Sequence, residues 1–212
     1  MNEIRAGVPS IDEATLLLDE GRIFNPGPWI EHSLNVGKAA ELIAELDEEL
    51  DKDIALVLGM LHDIGRRYGK TYMRHSIDGY NFAIGKGYNL LARISITHCF
   101  PYKNVDEVCG KWDCTDLEYA FVKEYLDNIE YSDYDKLIQL CDVLALPLGF
   151  CLIEKRLVDV VLRYGFSKYT IEKWKSTFEI QRYFEERIGM SIYNILPNVV
   201  ENTFGFQNNK DK

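Results

Sequence analysis

Leu58-Gly-Met-Leu-His-Asp-Ile-Gly-Arg-Arg67 puts an adjacent His62–Asp63 pair at the end of the most apolar run in the chain, Ile54-Ala-Leu-Val-Leu-Gly-Met-Leu-His62. A helix that is apolar all round is buried by its neighbours, so the spacing predicts a core helix from Asp53 to about Arg66. An ionised carboxylate carried into such a core costs several kcal/mol unless a cation meets it. Asp142 poses the same problem in Leu137-Ile-Gln-Leu-Cys-Asp-Val-Leu-Ala-Leu146, and few lysines or arginines flank either segment. A metal answers both. Imidazole with carboxylate suits zinc, iron, manganese or cobalt rather than calcium. Neighbouring helix residues point about 100° apart, so His62 and Asp63 can grip one ion where the helix end frays. Each residue alone also reads as a hydrogen-bonded core residue. His32, near the start of another helix, adds weight to the metal.

The rest of the chain is punctuated for helices. Ser10-Ile-Asp-Glu13 is a capping box opening a helix from Ile11 to about Glu20 that stops at Gly21. After the turn Asn25-Pro-Gly-Pro28, helical spacing runs from Trp29 to about Leu46. His75–Ile84 and Asn89–His98 read as short helices broken by Gly85-Lys-Gly87, and 101–114 as a polar loop. Thr115-Asp-Leu-Glu118 is a second capping box. Helices are then expected over Tyr134–Leu146 (stopped by Pro147), Leu152–Leu162, Thr170–Arg187 and Ser191 to about Val200. Period-two alternation is sustained nowhere. The expectation is an all-α fold in a single domain, residues 1–212, with a core at about 28–150 and C-terminal helices over 151–205.

Composition narrows the partners. The 212 residues are 47% apolar and 27% charged, ordinary globular usage, and the formal net charge is −10. That charge disfavours extended nucleic-acid binding but leaves room for a small anion beside a metal and a few arginines. No apolar run approaches the ~20 residues that span a bilayer, and Met1–Glu13 lacks the apolar stretch of a secretory signal. A cytoplasmic location without membrane contact is expected. The five cysteines, Cys99, Cys109, Cys114, Cys141 and Cys151, have no framework spacing and read as free thiols. The apolar spacing of Glu179–Val200 suits packing on the core or on another subunit, a homo-oligomer.

The order His32, His62-Asp63, Asp142 resembles the HD-domain superfamily of metal-dependent phosphohydrolases. Trp29-Ile-Glu-His-Ser-Leu-Asn-Val-Gly-Lys-Ala-Ala-Glu-Leu-Ile-Ala44 is similar to that family's first helix, LGMLHDIGR to its central motif and LIQLCDVLAL to its last. His75 in RHSIDGYNFAI and His98 in ARISITHCF fall where binuclear branches carry two further histidines. The resemblance covers roughly residues 28–150 and implies two divalent transition ions, iron or manganese first, with zinc, cobalt, nickel or magnesium as alternatives. One would be held by His32, His62, Asp63 and Asp142, the second by His75 and His98 with Asp63 bridging; His75 or His98 would otherwise contact substrate. Asp63 and Arg66 carry the expected catalytic roles, Arg66 as the clamp on a phosphate, with Arg67, Lys70, Arg74 and Lys103 as lesser candidates.

The implied activity is hydrolysis of a phosphate ester or anhydride of a nucleotide or small phosphorylated metabolite, with metal-activated water as nucleophile. RHSIDGYNFAI also resembles the matching stretch of bacterial dinucleoside polyphosphate hydrolases, but residues 101–135 depart from them, so their substrate does not transfer. Two other readings stay open: a mixed-valent di-iron oxygenase on the same ligands, and a non-catalytic binding or signalling module. Tyr68, Tyr72, Tyr80, Tyr88 and Tyr102 are expected in half-buried packing, some near the pocket. Residues 1–27 and 151–212 carry no assignable chemistry and read as helical packing around the core.

Overall fold

The structure, a computed structural model, describes residues 7–108 and 110–206. Among them are ten α-helices, two short 3-10 turns and one two-residue hairpin, so the all-α expectation is met. The helices are α1 (Ile11–Phe24), α2 (Trp29–Ala44), α3 (Lys52–Leu61), α4 (Arg74–Gly85) and α5 (Asn89–Thr97), then α6 (Asp116–Asn128), α7 (Asp133–Leu144), α8 (Ile153–Tyr164), α9 (Thr170–Ile188) and α10 (Val199–Phe204). No helix of the described residues is long and apolar enough to cross a membrane.

The centre of the fold is the pair α2 and α3, packed backbone to backbone. A Cβ on Gly59 would lie 2.5 Å from the Gly37 Cα, so only glycines allow this approach. Asp51 caps α3, accepting from the amides of Asp53 and Ile54 at 3.0 and 3.2 Å. α7 lies against both helices, and Ile30, Val36, Ile43, Leu58, Leu61, Leu137, Leu140 and Leu144 are fully or almost fully buried in one apolar core. α4 and α5 pack as a pair, and their outer face is covered by α6 through a second cluster that includes Ile77, Ile96, Phe100, Val122 and Leu126. Arg93 of α5 binds the buried Asp135 of α7, Nε to Oδ2 at 2.8 Å, which ties this pair to the core.

Several boundaries differ from the sequence expectation, for packing reasons. α1 runs through Gly21 to Phe24, because Gly21 admits the Trp29 ring; a Cβ there would lie 2.8 Å from it. The Ser10 cap forms, but Glu13 takes the Tyr88 hydroxyl instead of closing a box. The Thr115–Glu118 box closes in full. α3 ends at Leu61 rather than near Arg66, and Ile64–Tyr68 is a 3-10 turn. α7 ends at Leu144, where Ala145–Leu146 pairs antiparallel with Gly149–Phe150 across Pro147-Leu148. The final expected helix is split into a 3-10 turn, Ile192–Asn194, and α10, with Asn198 left-handed (φ 58°) between them.

Candidate metal centre

Five elements bring the six predicted ligands together. His32 stands on the first turn of α2, His62 and Asp63 at the break after α3, His75 at the start of α4, His98 at the end of α5 and Asp142 near the end of α7. The break after α3 has a steric cause. A Cβ on Gly65 would sit 2.0 Å from the His75 carbonyl oxygen and 2.5 Å from the Gly79 amide nitrogen. The turn Ile64–Tyr68 therefore lies directly on the backbone of α4, and this contact sets Asp63 against His75.

All four imidazoles are oriented alike. His32 Nδ1 is 3.2 Å from the Ala145 carbonyl oxygen, His62 Nδ1 2.7 Å from that of Gly59, and His98 Nδ1 3.0 Å from that of Ile94; His75 Nδ1 meets the Tyr72 carbonyl. A backbone carbonyl only accepts, so each ring donates from Nδ1 and turns Nε2 inward. The rings follow in the order His32, His62, His98, His75, with centroids 5.4, 5.0 and 5.5 Å apart.

The carboxylates complete two clusters. His32 Nε2 lies 2.9 Å and His62 Nε2 3.9 Å from Asp142 Oδ1. On the other side, His75 Nε2 and His98 Nε2 are 3.4 Å apart and lie 3.2 and 3.7 Å from Asp63 Oδ1. Asp63 Oδ2 faces His62 at 3.8 Å, so one carboxylate touches both groups. Cys99, expected from sequence as a free thiol, joins the second group with Sγ 3.1 Å from His98 Nε2 and 3.6 Å from His75 Nε2. Its adjacency to His98 was the only sequence signal.

Electrostatics favour ligation. Burial holds the His62 imidazole neutral, its pKa down to about 4. Burial pushes the Asp63 and Asp142 carboxyls up, yet Arg66 with His62 for the first, and His32 with His62 for the second, hold both well below the usual carboxylate range. His62 Nε2 and Asp63 Oδ1 are buried without a hydrogen bond of proper geometry. Buried lone pairs left so are costly, and a divalent cation satisfies them. The donor set, imidazole nitrogen with carboxylate oxygen and one thiol, fits transition ions.

Arg66, the expected clamp, donates from Nε to Asp63 Oδ2 at 2.6 Å. Arg67 turns away to Glu20 and stacks on Phe24 and Phe82. Arg74 pairs with Asp78 and Glu118, and Lys103 with Glu130. Lys70 is exposed at the cavity rim. Of the five tyrosines singled out by sequence, Tyr72 alone lines the cavity.

All side chains of the two clusters but the fully buried His62 line the floor of a cavity of about 570 Å³, within the usual range for a small-molecule site. Its far wall comes from α8 and α9, which corrects the reading of residues 151–212 as packing alone: Arg156, Leu157, Val160, Tyr164, Lys173 and Trp174 all face the cavity. Among the described residues Cys99, Cys114, Cys141 and Cys151 are free, and Cys109 lies outside them.

Comparison with curated proteins and with solved structures finds no match. The sequence pattern that defines the HD domain matches residues 29–146, more than half of the chain and the span that carries all six converging side chains. That family binds divalent metals and consists mostly of metal-dependent phosphohydrolases. The helical architecture, the histidine–aspartate clusters and this match together establish that the chain belongs to the HD domain family.

Proposed function

We propose that this protein is a metal-dependent phosphohydrolase acting on a phosphate ester or anhydride of a nucleotide or small phosphorylated metabolite. The observation that carries the reading is the convergence of four inward Nε2 atoms and two carboxylates on the floor of a cavity whose walls hold arginine and lysine. In this reading His32, His62, Asp63 and Asp142 would hold one divalent transition ion, and His75, His98 and Asp63 would hold a second. Such ions, when bound, polarise a phosphoryl oxygen and lower the pKa of water.

The chain's own residues then divide the work. The Nδ1–carbonyl contacts keep the four imidazoles in one orientation, Nε2 toward the floor. Asp63 joins the two halves of the floor, and Arg66 fixes its orientation through Oδ2. The apolar side of the cavity, with Trp29, Val160, Tyr164 and Trp174, suits the leaving group, and Tyr72 and Tyr164 meet edge to face, 6.4 Å between centroids. A planar base fits such a lip.

Elemental analysis of the purified protein, with and without reconstitution, tests this reading. Close to two equivalents of transition metal are expected, falling in both His75→Ala and Asp142→Ala, together with phosphate release from nucleotides or sugar phosphates. No bound metal after reconstitution, or metal without hydrolysis of any phosphorylated compound in such a screen, sinks it.

A further inference from the structure

We propose that Arg156, on the first turn of α8 and outside the HD-matched span, is the residue that grips the substrate's phosphate from the side facing the metal floor. The inference rests on the phosphohydrolase reading and deepens it.

Five cations line the cavity: Arg66, Lys70, Arg156, Arg163 and Lys173. Three are paired closely with carboxylates. Arg66 Nε donates to Asp63 at 2.6 Å, Arg163 Nη2 to Asp159 at 2.9 Å, and Lys173 Nζ lies 2.8 Å from Glu107 Oε2. Lys70 is exposed at the rim. Arg156 differs from all of these. Its side chain is only 19% exposed, yet its guanidinium makes no hydrogen bond to any described residue. The nearest carboxylate oxygens, Asp142 Oδ1 at 3.9 Å and Asp159 Oδ2 at 3.8 Å, balance its charge from beyond hydrogen-bond range.

A guanidinium carries five N–H donors in a fixed fork. With its side chain largely covered and its donors unengaged by the protein, that fork opens onto the cavity and is free to take an acceptor there. The neighbour on one side is Asp142, itself in the metal cluster, so an acceptor in reach of Arg156 is also in reach of the floor. A tetrahedral oxyanion matches both: two of its oxygens meet the fork while another faces the His32–His62–Asp142 cluster. α8 thereby supplies a recognition contact, and the expected clamp, Arg66, is left to orient Asp63.

Isothermal titration of the full-length, metal-reconstituted protein with inorganic phosphate tests this, alongside elemental analysis of each variant. Arg156→Gln is expected to keep the wild-type metal content and to weaken phosphate binding about ten- to a hundredfold, the scale of a lost charge-assisted hydrogen-bond pair. Arg156→Lys, which keeps charge without the fork, is expected to fall between the two. In hydrolysis, the loss appears in KM and in phosphate inhibition. Equal phosphate binding by wild type and Arg156→Gln overturns the assignment and leaves the phosphohydrolase reading standing. Loss of metal from Arg156→Gln also overturns it, making Arg156 a positioning residue for Asp142. Failure of the wild type to take up metal removes both.

Discussion

Arg66 Nε and Asp63 Oδ2 lie 2.6 Å apart within one turn of chain, so the cation nearest the metal floor is bound to the carboxylate that joins its two halves. Arg66→Ala leaves that buried carboxylate short of a partner and is expected to lower stability by about 1.5–3 kcal/mol, the worth of a hydrogen bond to a charged group. The loss should be larger in chelator-treated protein than in protein loaded with manganese, where a divalent ion takes over the charge. Thermal melts of both forms check this.

Gly65 sets a sharper test of how the fold builds the site. Gly65→Ala forces the 3-10 turn off α4, where backbone atoms cannot yield, and should cost at least about 1–3 kcal/mol. It should also lower metal stoichiometry, because it separates Asp63 from His75. Gly85→Ala, at a helix end with open space around the new methyl, should be neutral or stabilising by up to about 1 kcal/mol and leave metal content unchanged. Denaturant melts and elemental analysis read both.

Metal should stabilise the folded chain by mass action. At a free ion concentration about 100 times Kd the gain is about 2.7 kcal/mol, seen as a rise in Tm on adding manganese or cobalt. Asp142→Ala, which removes the partner 2.9 Å from His32, should abolish most of that rise. An unchanged metal-induced shift in the variant would place the stabilising ion elsewhere.

Away from the site, Arg187 bridges Asp133 at 2.6 Å and Asp47 at 2.5 Å, clamping α9 to the start of α7 and the end of the α2 region. Burial pushes the Asp133 carboxyl up, but its bonds to Arg187 and Tyr183 bring it below the usual carboxylate range. A depressed carboxyl stabilises the fold above its unfolded pKa, and that contribution is lost as pH falls through the folded value. Asp133→Asn should therefore cost on the order of 1 kcal/mol at pH 5–7, modest because the pair is partly solvated, and the difference from wild type should close below about pH 4. Urea melts across that range measure it.

The floor of the site was legible because its residues break a pattern. His62, Asp63 and Asp142 interrupt apolar helices, where a polar group needs a reason, and His32, His75 and His98 are the chain's only other histidines. The helix break at His62 was not legible, since hydrophobic periodicity does not register backbone-to-backbone approach at Gly65. Nor was the far wall. Arg156, Asp159 and Arg163 recur on one flank of an amphipathic helix and look like any solvated charged face; only the placement of α8 over the floor turns them inward. Gly21 misled for a related reason: a glycine inside a helix reads as a stop, while here it is a seat for Trp29.

The cavity is shared between two stretches of chain with different duties. Its histidine–aspartate floor is closed by residue 142, whereas the far wall is contributed by residues 156–174. During synthesis the floor is complete before the wall has been translated. A substitution in the later segment therefore alters what the cavity admits without touching any of the six side chains of the floor.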